Sequence, residues 1–157
     1  MSEAVAAKPL IVFTSERVAA VWPELSPLSQ QHWAEVTLYP DIPLDPNIEL
    51  YERMDAAGVI RVFTARDGDG KLVGYSVFFV APDIRCRGSL QATMEILFIL
   101  PEHRGFGKEF IEWCDEQLRD EKVQVIIQHV DMAFDFSPVF VRLGYTWAQK
   151  VFTRRLF

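Results

Sequence analysis

MEILFILPEHRGFGKEF, residues 94–110, decides how this chain folds. Its first half is apolar almost throughout as far as Leu100, the composition of a buried strand. Pro101, which has no backbone donor, ends that strand. From Arg104 the spacing changes: Phe106, Phe110, Cys114 and Leu118 recur every four residues with Ile111 beside them, which predicts a helix over 104–120 with one buried stripe. Between strand and helix lies a turn containing Gly105 and Gly107. Glycine lets a ligand approach the backbone closely, and the N–H groups and positive dipole end of a first helical turn attract phosphate oxygens. Arg104 and Lys108 flank the turn and add positive charge. The plainer reading of the same residues is an ordinary strand-to-helix turn.

Working outward, the strand extends back to Ser89, and its alternate positions Gln91, Thr93 and Glu95 put three polar side chains on one face. Upstream, Val59 to Arg66 and Lys71 to Val80 are rich in β-branched and aromatic residues and are joined by Asp67-Gly-Asp-Gly, a hairpin signal. Before them, Leu10 to Phe13 reads as a first strand and Ser15 as the cap of a short helix. Ser26 to Leu38 reads as a second helix, Pro40, Pro43 and Pro46 as an extended loop, and Asn47 to Ala57 as a helix stopped by Gly58. Downstream, Val123 to Val130 is expected as a strand, Ser137 to Leu143 as a helix stopped by Gly144, and Tyr145 to Leu156 as a final strand or hairpin. This order predicts an α/β sandwich around one mixed sheet.

The chain has 157 residues, half of them apolar, enough for a single domain spanning 1–157 without disulfides or metal. No repeat or linker divides it, and residues 1–8 read as a flexible tail. Cys86 and Cys114 do not form a CxxC pair, and His32, His103 and His129 are too far apart to suggest a metal cluster, so no metal site is expected. No apolar run has the length of a membrane span, and MSEAVAAKP lacks the regions of a signal peptide, so a cytoplasmic setting is expected. A net charge of −6 argues against a broad nucleic-acid-binding surface, although Arg85, Arg87, Arg104, Arg154 and Arg155 could form a local patch.

The junction resembles the GNAT superfamily of N-acetyltransferases, which carry Arg/Gln-x-x-Gly-x-Gly/Ala here after an apolar strand and a proline. Arg104, Gly105, Phe106, Gly107 and Lys108 match the first five positions; Glu109 departs from the sixth and puts a carboxylate where the coenzyme pyrophosphate is expected. The hairpin ending in Leu72-Val-Gly-Tyr and the segment Phe140-Val-Arg-Leu-Gly-Tyr145 are also similar to the family, and the stretch from Tyr39 to Gly88 is similar to GNAT proteins encoded by tailed phages. The resemblance implies an α/β (α+β mixed) three-layer sandwich: a mostly antiparallel twisted sheet of six to seven strands, splayed at the coenzyme site and flanked by about four helices. It implies acetyl-CoA as cosubstrate, its pantetheine arm pairing with the backbone around Phe98, Ile99 and Leu100 and its pyrophosphate held by 104–109.

It further implies direct attack of an amine on the thioester, which calls for a general base, since a lysine-like amine is about 99.9% protonated at pH 7 and freeing its lone pair costs roughly 4 to 5 kcal/mol. Glu95 fits the position of a glutamate used by several GNAT enzymes, four residues before Ile99; a half-exposed strand face is the alternative. His129 is a second candidate base, or a structural histidine. Many GNAT enzymes have a tyrosine at the position of Phe140 as the acid that protonates the leaving thiolate, and phenylalanine cannot do this. Water, Tyr145 or Tyr75 could replace it.

The acceptor cleft is expected along residues 33–52, where Trp33, Tyr39 and Asp41 would meet a cationic amine in a protein side chain, polyamine, antibiotic-like molecule or modified nucleobase. A solvated helix face with a buried tryptophan would look the same. Two other functions stay open: a GNAT scaffold without catalysis that binds a protein or acyl-CoA, and a phage enzyme modifying nucleic acid, active in the host cytoplasm. A homodimer is compatible with the family, although nothing in the sequence marks its interface.

Overall fold

The computed structural model describes residues 9–157, so the tail read from residues 1–8 lies outside it. Five strands form the middle layer, in sequence order across the sheet. β1 (Ile11–Glu16), β2 (Ile60–Asp67), β3 (Leu72–Pro82) and β4 (Leu90–Ile99) pair as antiparallel neighbours, and β5 (Val125–Ile127) lies parallel to β4. The β2–β3 turn forms where the Asp-Gly pairs predict it. Asp67 Oδ1 accepts the N–H groups of Asp69 and Lys71 at 3.0 Å each, and Gly70 adopts φ +82°, a conformation that strains any residue with a Cβ.

Successive residues of a strand point to opposite faces, so Val62 and Phe63 of β2 belong to different layers. Val62, Tyr75 and Val77 lie under α1 (Val18–Val36) and α2 (Ile48–Ala56). Phe63 and Phe13 lie under α3 (Gly107–Asp120), with Phe63 edge-on to Trp113 at 5.4 Å and Phe13 at 5.1 Å from Phe110. The result is the three-layer sandwich expected, with α4 (Ser137–Arg142) beyond β5.

Four details differ from the sequence expectation. Ser15 lies in β1 and caps nothing; the first N–H of α1, from Val18, donates to Asp55 of α2 at 2.8 Å. The two helices expected before Pro40 are one, because Pro23 and Pro27 lie four apart on an exposed side, where the carbonyls they leave unbonded face water. Among the described residues the sheet has five strands, not six to seven, since residues 145–157 form no regular element. Their apolar pattern reads as a strand, but β5, the neighbour they would pair with, spans only three residues. The tail instead returns toward the α1–α2 connection, where Arg155 pairs with Asp41 at 2.6 Å. Finally, a 3-10 turn over Pro101–Phe106 precedes α3.

Candidate active site

β4 and β5 pair only over Gln91–Thr93 and Val125–Ile127, so the two strands part beyond Thr93. In the opposite direction β4 stays bonded to β3 as far as Ile99, with one irregularity: Val77 opposes Ile96 and Phe78 opposes Met94. Glu95 is the extra residue, a β-bulge at the point where the sheet opens. Bulges re-aim side chains. Here the Glu95 carboxylate turns toward α2, where the Tyr51 hydroxyl donates to its Oε1 at 2.6 Å.

Two cavities meet at this residue. One, of about 280 Å³, occupies the opening between β4 and β5 and is bounded by Ile99, Arg104, Gly107, Ile111 and His129. The other, of about 470 Å³, lies between α1, α2 and the sheet. Glu95, His32, Val36 and Asp131 line both. Water reaches Glu95 from the cavities, yet the protein crowded around it raises its pKa above the ordinary carboxylate value, with the Tyr51 hydrogen bond opposing part of that rise. His32, its ring 5.1 Å from that of Phe98, is held by burial below the usual imidazole value, against the pull of Asp131 and Glu35.

At the far end of β4 the Leu100 N–H donates to Val73 at 2.9 Å, so strand alternation turns the amide groups of Leu97 and Ile99 toward the side that β5 has left. Phe98 and Leu100 face β3 instead. The Ile99 carbonyl accepts from Arg104 Nε at 3.1 Å, while Arg104 Nη2 pairs with Glu35 at 2.7 Å and its guanidinium lies 4.3 Å from the Phe134 ring. Arg104 therefore ties the strand end to α1 across the cavity. Lys108 pairs with Glu112 one turn on, and Glu109 is exposed in the first turn of α3, where negative charge meets the positive dipole end.

Neither Gly105 nor Gly107 has positive φ. A Cβ at Gly105 would meet nothing within 4 Å, and one at Gly107 would make an ordinary 3.5 Å contact with Ile99. Protein packing requires glycine at neither position, although glycine in a helix costs about 0.5–1 kcal/mol relative to alanine.

No protein-family model and no curated protein matches the chain by sequence. Solved structures do match. A ribosomal-protein-alanine N-acetyltransferase from Brucella melitensis biovar Abortus 2308 superimposes with a TM-score of 0.69 at 14% identity, over 94% of this chain and 100% of that one. A predicted acetyltransferase from Clostridium acetobutylicum, solved with acetyl-CoA, gives 0.69 at 9% identity over 93% and 96%. An aminoglycoside acetyltransferase from an uncultured soil metagenomic sample, in complex with sisomicin, gives 0.70 at 14% identity over 94% and 95%. The chain has the GNAT fold.

In this GNAT fold the candidates read from sequence separate into two groups. Glu95, His129, Ile99, Arg104 and Gly107 come together around the smaller cavity, and Trp33 and Tyr39 line the larger one. Asp41 lines neither and is paired with Arg155. Tyr145 also lies elsewhere: its hydroxyl donates to Asp115 of α3 at 2.6 Å and accepts from Gln128 at 3.2 Å. Phe140 is buried between Phe136 and Tyr145, with ring distances of 5.5 and 5.1 Å. Arg85 pairs with Asp83 in the β3–β4 loop and lines neither cavity. Sequence reasoning missed Tyr51, His32 and Asp131, which reach Glu95 or its cavities from α1, α2 and the loop after β5. Their only local signal is polarity beside apolar neighbours.

Proposed function

We propose that the chain is an acetyl-CoA-dependent N-acetyltransferase in which Glu95 takes the proton of a primary amine. The observation that carries this reading is the bulged Glu95, shared by two cavities: one beside the glycine turn, the other under α1 and α2. The residues present fit the coenzyme. Leu97 and Ile99 offer strand-like amide groups on the open side of β4 to pantetheine, and Gly105 and Gly107 leave the start of α3 bare for the pyrophosphate. Acetyl-CoA supplies an activated acetyl thioester. Glu95, its proton affinity raised by burial, takes the ammonium proton and frees the lone pair that forms the N–C bond as the C–S bond breaks. The second proton, lost from nitrogen on attack, balances the one that the departing sulfur takes up. His32, kept neutral, and His129 stand on the same cavity wall, where either can pass a proton from water to the departing sulfur. Phe140 is excluded from that role by its chemistry, and Tyr145 is committed to Asp115. Likeness to tailed-phage proteins would put the reaction in a host cytoplasm.

Thiol release measured against pH tests the assignment. Glu95→Gln lowers kcat/KM by about 10²–10⁴-fold and removes an acidic limb whose midpoint in the wild type lies above the ordinary carboxylate range. Equal rates at every pH would leave Glu95 without the base role. A second reading, coenzyme capture without turnover, draws on Phe140 and on the engagement of Arg104 by Glu35. It predicts acetyl-CoA binding with no thiol release on any amine.

A further inference from the structure

The larger cavity has a wall chemistry that narrows its occupant. Its volume, about 470 Å³, suits a small molecule. Its surface is mostly aliphatic and aromatic, with Leu25 and Trp22 of α1, Trp33, Leu44 of the α1–α2 connection and Val77 of β3 as examples. Among the described residues no lysine or arginine lines it, whereas Asp45, Glu95 and Asp131 do. The cavity therefore selects against anions and favours positive charge at the acidic floor.

A second, independent observation lies in that floor. Tyr75 of β3 is completely buried, yet its hydroxyl has no hydrogen-bond partner among the described residues. Buried hydroxyls are almost always paired, and an orphan of this kind is expected where a ligand completes it. Tyr75 and Glu95 line the same cavity from adjacent strands, so a bound ammonium or amine can meet both. Polar side chains such as Ser29, Thr37, Tyr39 and Thr153 also border the cavity, but apolar atoms make up most of its surface, which favours an amine with an apolar body over a polyhydroxylated one.

We infer that the cavity between α1, α2 and β2–β4 binds a small primary amine carried on an apolar aliphatic or aromatic body, with the Tyr75 hydroxyl and the Glu95 carboxylate holding its nitrogen. The inference rests on the transferase reading for the fate of that amine but not for its binding. The α1–α2 connection, with Tyr39, Pro43 and Leu44, and Thr153 of the C-terminal segment border the cavity, which suits a free small molecule better than the surface of a folded protein. Glu95 faces Tyr51 from α2, with His32 of α1 and Asp131 of the loop after β5 on the shared wall. Binding of the protonated amine therefore strengthens as Glu95 ionises.

Tryptophan fluorescence, with Trp22 and Trp33 in the cavity wall, reads amine binding without acetyl-CoA, and thiol release reads turnover with it. The probes are 2-phenylethylamine, a propylamine-to-hexylamine series, spermidine, sisomicin and a lysine peptide. Affinity should rise roughly fourfold for each added methylene of the alkylamines, since each buries about 0.8 kcal/mol of apolar surface. Tyr75→Phe should weaken 2-phenylethylamine binding by about fivefold or more through loss of one hydrogen bond to a charged group, with acetyl-CoA affinity unchanged and thermal stability equal or higher. Preferred turnover of spermidine, sisomicin or the lysine peptide would overturn the inference while leaving the transferase standing. Binding of the apolar amines with no thiol release from any probe would uphold the pocket and overturn the transferase reading. Absence of apolar-amine binding, or full binding by Tyr75→Phe, would overturn the pocket assignment.

Discussion

Under α3, the sheet meets a tight set of rings: Phe13, Phe63, Phe106, Phe110 and Trp113 lie 5.1 to 6.3 Å from one another in successive pairs. Under α1 and α2, the other face of the same strands leaves a cavity of about 470 Å³ and a buried hydroxyl without a partner among the described residues. The two faces alternate along the same strands but differ in side chains, with Phe13 and Phe63 on the first and Val62, Tyr75 and Val77 on the second. One face is closed by a single amphipathic helix whose stripe matches the sheet. The other is spanned by two helices and a proline-rich connection, which leave room between them. We assign most of the stability to the first face and amine binding to the second.

Phe110→Ala offers the strongest attack on that division. Phe110 is fully buried among Phe13 and Phe106, and truncation should cost about 3–5 kcal/mol, read by denaturant unfolding. A loss below about 1 kcal/mol would mean that the α3 face is not the stabilising one. A smaller effect of opposite sign is expected at Glu95. Burial raises its folded-state pKa, so its carboxyl favours the folded state below the unfolded pKa, and that contribution is lost as pH rises through the folded value. Glu95→Gln, which can still accept from Tyr51, should therefore melt above the wild type near neutral pH and level with it near pH 4, a value close to the unperturbed glutamate pKa of about 4.3. Equal melting temperatures at both would show that the site carries no stability cost.

The α3 face was largely legible in the sequence. The fourfold spacing of Phe106, Phe110, Cys114 and Leu118, and the hairpin at Asp67 to Gly70, are local signals that the structure reproduces. The glycine turn was legible too, though not its 3-10 form. What escaped depends on pairing between distant segments. Alternation alone puts Gln91, Thr93 and Glu95 on one face, but the bulge opposite Val77 and Phe78 arises from register with β3, which no single strand encodes. The Tyr51–Glu95 hydrogen bond joins residues 44 apart through packing of α2 on the sheet. A strand reading for Tyr145 to Leu156 failed for the same reason, since apolar periodicity does not report whether an edge is long enough to accept a partner.

Calorimetric titration of acetyl-CoA into the wild type and Gly107→Ala, with melting curves of both, tests the central claim most directly. Gly107 has helical φ and ψ of −55° and −40°, and its added methyl meets only an ordinary contact, so the variant should be more stable by about 0.4–1 kcal/mol. Its coenzyme affinity should nevertheless fall by about tenfold or more, the equivalent of about 1.4 kcal/mol, because the methyl occupies space that the pyrophosphate needs at the start of α3. Equal affinity in the two proteins, or none in the wild type, would contradict the placement of the coenzyme and with it the transferase.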